Sequence, residues 1–322
     1  MTQEIRTLAD DELITEPGLY AISLDRHHSQ PCDGVSVTSG VLRKMELETP
    51  ADVWAFHQLN PRRFERPETD ALRLGRAMAA FVEGGKSGLE QHFAVLPADK
   101  PRRPTAQQLD AYDKGKATEA GKHSVEFWRD VDLDPRDYIT QQEMDLLLDM
   151  GAALMDDPAA SAVMEGIPEV TMAWRDEQTG IWCLARPDTI NLDGTVTDYK
   201  RLSGQGQPFS HRLVDRRITD HGYDMQLAFA AEGMERVLGF WPEAAAIIAQ
   251  SATPPYHVIL REILDEDLRL GQWRNRVALN RFAECLESGI WPGPGMDTAA
   301  YQRPEWQRQM LIERMAVEGE AP

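Results

Sequence analysis

Apolar residues recur at helical spacing in the first half of the chain and at strand spacing in its centre. From Thr69 the run ALRLGRAMAAFVEGG brings Leu72, Met78, Ala79 and Val82 round at a helical period, and Gly84-Gly85 stops it. Before it, 18–24 has strand composition opened by the Pro17-Gly18 turn, within an otherwise irregular stretch over 1–45. Thr38 and Ser39 offer N-caps for a helix over 40–47, and another begins at Pro50 and ends near Asn60-Pro61. After it, 93–96 reads as a strand and 97–104 as a proline-rich loop. Thr105 caps a polar helix reaching towards Trp128, and Thr140 with Glu143 forms a capping box ahead of an apolar stripe over 144–155.

The pattern then changes. Residues 169–175 and 181–186 read as two strands around the turn Asp176 to Gly180, and 194–200 reads as a third. A long helix over 210–238, strands over 244–250 and 256–262, and a basic amphipathic helix over 265–288 follow. Strands grouped after helices predict an α/β fold with a central mixed sheet flanked by helices. A single domain over 1–322 is expected: a lead-in over 1–68 packed on it, a central core over 166–262, and a charged tail over 296–322.

Composition narrows the class. Of 322 residues, 42% are hydrophobic and 27% charged, as in an ordinary globular protein. No apolar run has the roughly 18 residues a membrane helix needs, so no membrane partner is expected. Cys32, Cys183 and Cys285 form no CxxC pair, and their odd count argues for a reducing cytoplasm over a disulfide framework. The net charge of −19 argues against a protein that coats DNA, yet it allows a local basic groove around carboxylates that hold a metal.

The candidate chemistry lies in the central strands. Asp188 follows one strand, and Asp198-Tyr199-Lys200 ends the next. Two residues apart on a strand, Asp198 and Lys200 share a face. Two carboxylates hold a hard divalent cation such as Mg²⁺ through oxygen. Such a cation polarises a phosphodiester, and a neighbouring lysine serves the water nucleophile. An aspartate two residues before a lysine is by itself also an ordinary surface pattern; Pro187-Asp188 ten residues upstream is what lifts it.

These stretches resemble the nuclease domain of the RecE-type exodeoxyribonuclease (exonuclease VIII), within the PD-(D/E)xK superfamily of restriction-endonuclease-like folds. The similarity is carried by Pro17-Gly18-Leu19-Tyr20, Leu74-Gly75-Arg76-Ala77, the block from Trp174 through Arg186-Pro187-Asp188 to Asp198-Tyr199-Lys200, Tyr223 to Phe229 with Gln226, and Trp291-Pro292. It spans roughly residues 15–315. It implies a Mg²⁺-dependent exonuclease, with Mn²⁺ able to substitute, that degrades double-stranded DNA ends in preparation for recombination. A phage or prophage setting, a single-strand annealing recombinase as partner and a homo-oligomer follow from the same resemblance. By it, Asp188 and Asp198 hold metal, Lys200 serves the nucleophile, and Gln226 positions lysine, water or phosphate.

One departure matters. The family's metal-binding histidine, five positions after the leucine of the Leu-Gly pair, is replaced by Ala79, which cannot ligate. Glu83, one helical turn on, is a candidate substitute and otherwise a solvated glutamate; His92 is another candidate. Arg201, Arg212, Arg216 and Arg217 are candidate phosphate contacts, as are Arg261, Arg269, Arg274, Arg276 and Arg281, for which a salt-bridged helix face serves equally well. His27-His28 and His211 lack zinc spacing, and the pair reads as loop histidines. Trp174, Trp182 and Trp241 read as packing residues. The rival readings are a degenerate relative that binds DNA or a protein without cutting, an endonuclease of the same fold, and a protein-interaction module.

Overall fold

The computed structural model describes residues 4–9, 11–65, 69–191, 194–295 and 300–318, with the side chains of Ala71, Glu83 and Glu318 outside that set. The chain opens with β1 (Ile5–Thr7), β2 (Gly18–Ala21), the short helix α1 (Leu24–His28) and β3 (Ser36–Thr38). Then come α2 (Ser39–Leu47), α3 (Pro50–Ala55), α4 (Asp70–His92), β4 (Phe93–Leu96), α5 (Ala106–Asp113), α6 (Glu119–Leu133), β5 (Asp137–Thr140), α7 (Gln141–Met155) and α8 (Pro158–Met164). The central block holds β6 (Ile167–Pro168), β7 (Thr171–Arg175), β8 (Trp182–Ala185), β9 (Thr189–Ile190) and β10 (Thr195–Leu202). Helices α9 (His211–His221) and α10 (Tyr223–Leu238), strands β11 (Ala244–Ser251) and β12 (Val258–Glu262), and helices α11 (Asp265–Ser288) and α12 (Glu305–Glu318) complete it.

The fold is α/β with mixed sheets flanked by helices. Two five-stranded sheets run β1-β2-β7-β8-β3 and β12-β11-β10-β9-β6, and β4 pairs with β5. Strand β10 runs parallel to β11 and antiparallel to β9, so the sheet that carries the site is itself mixed. The two larger sheets share one core, in which Met172 and Trp174 of β7 meet Val196 and Ile247 through Leu227, Phe229 and Met234 of α10. Helix α10 buries ten of its sixteen residues, nearly all of them apolar, as a helix largely enclosed by protein does. Alternation along β11 divides its side chains: Ile247 enters this core, and Ile248 enters a second one with Met78 of α4 and Leu147 and Met150 of α7. Among the described residues no helix is long and apolar enough to cross a membrane.

Local chemistry explains where the structure departs from the sequence expectations. The strand expected over 18–24 forms as β2, and the stretch around it, read as irregular, supplies two more, β1 and β3; β2 and β3 pair with the β7–β8 hairpin. The helix expected to stop at Gly84-Gly85 bends at Gly85 (φ 61°) and resumes to His92. The helix expected from Thr105 to Trp128 is two, the second capped by Thr118. The long helix over 210–238 breaks at Gly222, whose left-handed φ of 63° ends α9 and starts α10. His27 and His28 lie on α1, not in a loop. His27 is buried against Thr171 (Nδ1 to Oγ1, 3.1 Å), and burial holds its ring well below the usual histidine range.

Candidate active site

Pairing of β9 with β10 puts Thr189 opposite Thr197, so Asp188, one residue before β9, meets the middle of β10. The Tyr199 backbone N–H donates to Asp188 Oδ2 at 2.6 Å. On β10, Asp198 is 1% exposed, and its Oδ2 forms an ion pair with Lys200 Nζ on the same strand face. From α10, Gln226 Nε2 donates to Asp198 Oδ1 at 2.7 Å. The structure thus brings together Asp188, Asp198, Lys200 and Gln226.

Helices complete the surround. Lys200 Nζ stands 5.0 Å from the centroid of the Tyr223 ring, and the Arg43 guanidinium of α2 faces the same ring at 5.7 Å. Arg43 is fixed further by Nη1 donating to the His221 carbonyl at 3.2 Å. The turn at Gly222, whose left-handed φ of 63° favours glycine, places Tyr223 and Gln226 here.

The four groups open into a cavity of about 630 Å³. Its lining contains four cations, Arg43, Arg186, Lys200 and Arg201, against three carboxylates, Glu169, Asp188 and Asp198. In a chain of net charge −19 this is a local region that is not acidic. Burial, reinforced by the Asp198 charge, pushes Asp188 up to about 7, although Lys200 and the Tyr199 N–H oppose the rise. Burial alone would depress Lys200; the Asp198 and Asp188 carboxylates outweigh it and hold the ammonium above the usual lysine value. The site therefore carries a firmly charged lysine between two carboxylates, one of which is poised to take a proton.

The remaining candidates are dispersed. Arg201 lines the cavity, and its Nε is buried without a hydrogen-bond partner. Arg212 is exposed on α9. Arg216 and Arg217 hold the preceding loop through Gln207 (2.9 Å) and Gln205 (2.7 Å). Arg261, Arg269, Arg274 and Arg276 form ion pairs with Asp215, Asp265, Glu46 and Asp176. Arg281 donates to the Met45 carbonyl. Ala79 and Val82 of α4 line the cavity wall. Glu83 follows on that helix, and its side chain lies outside the described residues. His92 is exposed at the helix end and does not line the cavity, and His211 is exposed at the start of α9. Trp174 and Trp182 are buried packing residues, while Trp241 lies under Arg269 with the guanidinium 3.6 Å from the ring centroid.

Sequence reasoning missed Arg43, Glu169 and Arg186. Glu169 has a positive φ of 47°, its N–H donates to the Asp188 carbonyl, and its Oε2 accepts from Arg186 at 2.6 Å. The signal for Arg186 was adjacency to Pro187-Asp188; Arg43 left none, because it arrives from a helix about 150 positions upstream. Among the described residues no group of three or more His, Cys, Asp and Glu is disposed to hold a metal ion. The oxygen donors at hand are Asp188, Asp198 and Gln226 Oε1, which is buried without a partner.

A strand pair presenting two carboxylates and a lysine, backed by a helix that carries a glutamine, defines a PD-(D/E)xK-type core. The chain matches the PDDEXK-like domain of unknown function (DUF3799) over residues 41–303, and it belongs to that family. A solved structure described as "Putative exonuclease" from Eubacterium rectale shares the fold: TM-score 0.57, 14% identity, covering 88% of this chain and 96% of that one. At that identity the likeness speaks for the fold alone. No curated protein matches this chain.

Proposed function

We propose that this protein is a metal-dependent deoxyribonuclease, an exonuclease of the RecE type acting on double-stranded DNA ends. The observation that carries the reading is the convergence of Asp188, Asp198, Lys200 and Gln226 in one cavity whose lining balances the chain's acidity. The Asp188 and Asp198 carboxylates are hard oxygen donors that suit Mg²⁺ or Mn²⁺, and Gln226 orients the second of them. Bound there, the cation would polarise the scissile phosphate and lower the pKa of a water.

The chain's own residues do the rest. Gln226 fixes the Asp198 carboxylate, and the Tyr199 N–H fixes that of Asp188. Lys200 Nζ stays protonated and stands where negative charge grows as water attacks phosphorus and the P–O bond to the leaving sugar breaks. Arg201 and Arg43 are cations on the same wall for the flanking backbone, with Arg212, Arg216 and Arg217 further out on α9. A single-strand annealing partner would take the strand left behind.

One observation favours the second reading, a protein that binds DNA without cutting it: Ala79 in the wall supplies no third ligand. Incubating purified protein and linear double-stranded DNA with Mg²⁺, Mn²⁺ or EDTA, beside Lys200→Ala, separates the two. Metal-dependent loss of DNA that disappears in the variant is the expected result. Intact DNA with both metals, from a folded protein, overturns the nuclease reading.

A further inference from the structure

A second cavity, of about 340 Å³, lies beside the first and shares His27, His28 and Gly40 with its wall. It is bounded by β3, the start of α2, and α3 with the turn after it, and none of Asp188, Asp198 and Lys200 lines it. Its size falls within the roughly 300–1,000 Å³ of small-molecule sites.

Three of its lining side chains are more than nine-tenths buried: Ser36 at 2% exposure, Thr38 at 7% and His57 at 6%. Each leaves a polar group without a partner among the described residues. Ser36 uses its backbone N–H and carbonyl on the Gln30 amide, both at 2.8 Å, and keeps its hydroxyl free. Thr38 is the N-cap of α2, yet its hydroxyl makes no capping bond. His57 Nδ1 accepts from the Leu59 N–H at 3.2 Å, which leaves the ring proton on Nε2. Burial pushes His57 down to about 4, so at neutral pH this ring is an uncharged donor. Stacking on Trp54 (6.0 Å between centroids) and contact with Phe282 (5.2 Å) hold it in place.

Among the described residues the Ser36 and Thr38 hydroxyls and the His57 Nε2–H have no protein partner and belong to side chains that line the cavity, so a ligand bearing neutral donors and acceptors is their natural complement. Val41, Val53 and Phe56 supply apolar walls. Lys44 also lines the cavity, but among the described residues no arginine does, and an arginine fork is what a phosphate favours; three neutral groups make up the buried polar part of the lining. A planar heterocycle with a hydrogen-bonding edge and apolar faces fits both parts of the lining.

We propose that this side cavity receives an unpaired nucleobase of the DNA strand whose backbone passes Asp188 and Asp198. The identity of the ligand rests on the nuclease reading; the cavity and its unpaired groups do not. A base seated there has left the duplex, as it must wherever a protein reads its whole edge.

The test uses metal-free protein, so that no cleavage is needed, and the probe is a short fluorescent single-stranded oligonucleotide with its abasic counterparts, one per position. For the wild type, one abasic position should weaken binding about tenfold, the loss expected for two or three neutral hydrogen bonds. With Ser36→Ala/Thr38→Val, intact and abasic strands should bind alike. Equal binding of all strands by the wild type, no binding of any strand, or discrimination that persists in the variant overturns the proposal. The wild-type comparison decides even if the variant misfolds. DNA cleaved by the metal-loaded protein without base discrimination would sink this proposal alone. Discrimination without cleavage would sink the nuclease reading alone.

Discussion

Gln226 Nε2 donates a 2.7 Å hydrogen bond to Asp198 Oδ1, tying helix α10 to strand β10 across the buried site. Asp198 is almost inaccessible, so its orientation is set by this bond and by Lys200. A carboxylate that loses such a support turns or becomes protonated, and outer partners of metal ligands are commonly worth 10–100-fold in affinity. Gln226→Ala should therefore weaken Mn²⁺ binding by roughly one to two orders of magnitude while the fold stays intact. Calorimetric titration of wild type and variant checks this; equal affinities would detach Gln226 from the site.

Much of this arrangement was legible in the sequence, because it is local. Asp198 and Lys200 share a face by strand alternation alone, and the turn at Asp176 to Gly180 announced the β7–β8 hairpin. What stayed hidden is what long-range packing decides. Strand β9 has only two residues, too few for a period, yet its register is what carries Asp188 to Tyr199. The division into two sheets left no mark on the pattern, since strands enclosed on both faces look alike in either sheet. Arg43 and Tyr223 meet only because Gly222 turns the chain, and a lone glycine in a helical pattern does not announce a break.

Metal binding should depend on pH in a defined window. Asp188 is raised to about 7 from the ordinary 3.8, chiefly by burial and then by Asp198. In the metal-free protein the folded state therefore holds a proton between those limits that the unfolded chain has released. The contribution of this residue to stability is complete below the lower limit and is lost as pH rises through the upper one. A cation competes with that proton. Apparent Mn²⁺ affinity should rise about tenfold per pH unit up to about 7 and then level off. Titrations between those regimes check the slope, and an affinity that is flat below the bend contradicts it.

A separate charge cluster supports the scaffold. Arg276 of α11 bonds Asp176 at 2.6 Å and lies 3.8 Å from Glu232, and both carboxylates are buried. It thereby pins the β7–β8 turn and α10 to α11. Removing the cation would leave Asp176 with only its bonds from Thr179 and Glu232 with only the Arg236 charge nearby, and breaking a buried pair costs about 3–5 kcal/mol in comparable cases. Arg276→Ala should lower the midpoint of thermal unfolding well beyond the shift caused by Arg308→Ala, whose partner Glu305 is exposed. Equal midpoints for the two variants would show that the cluster is not a clamp.

The most informative change adds a ligand. Ala79 of α4 lines the same cavity as Asp188, Asp198 and Gln226, at the position where the resembled exonucleases carry a histidine. The wall there is helical and its neighbours Gly75 and Val82 also face the cavity, so a longer side chain at this position has space to enter. Ala79→His would complete a three-residue set of imidazole and two carboxylates, which suits Mn²⁺ better than Mg²⁺ because nitrogen is the softer donor. The expected result is Mn²⁺ binding tightened about tenfold or more, roughly the 1.4 kcal/mol or more that one added ligand should bring. Direct titration of metal into both proteins gives the answer without relying on turnover. Affinity unchanged by the histidine would mean that this wall does not face the metal position, and the assignment of Asp188 and Asp198 as its ligands would fall with it.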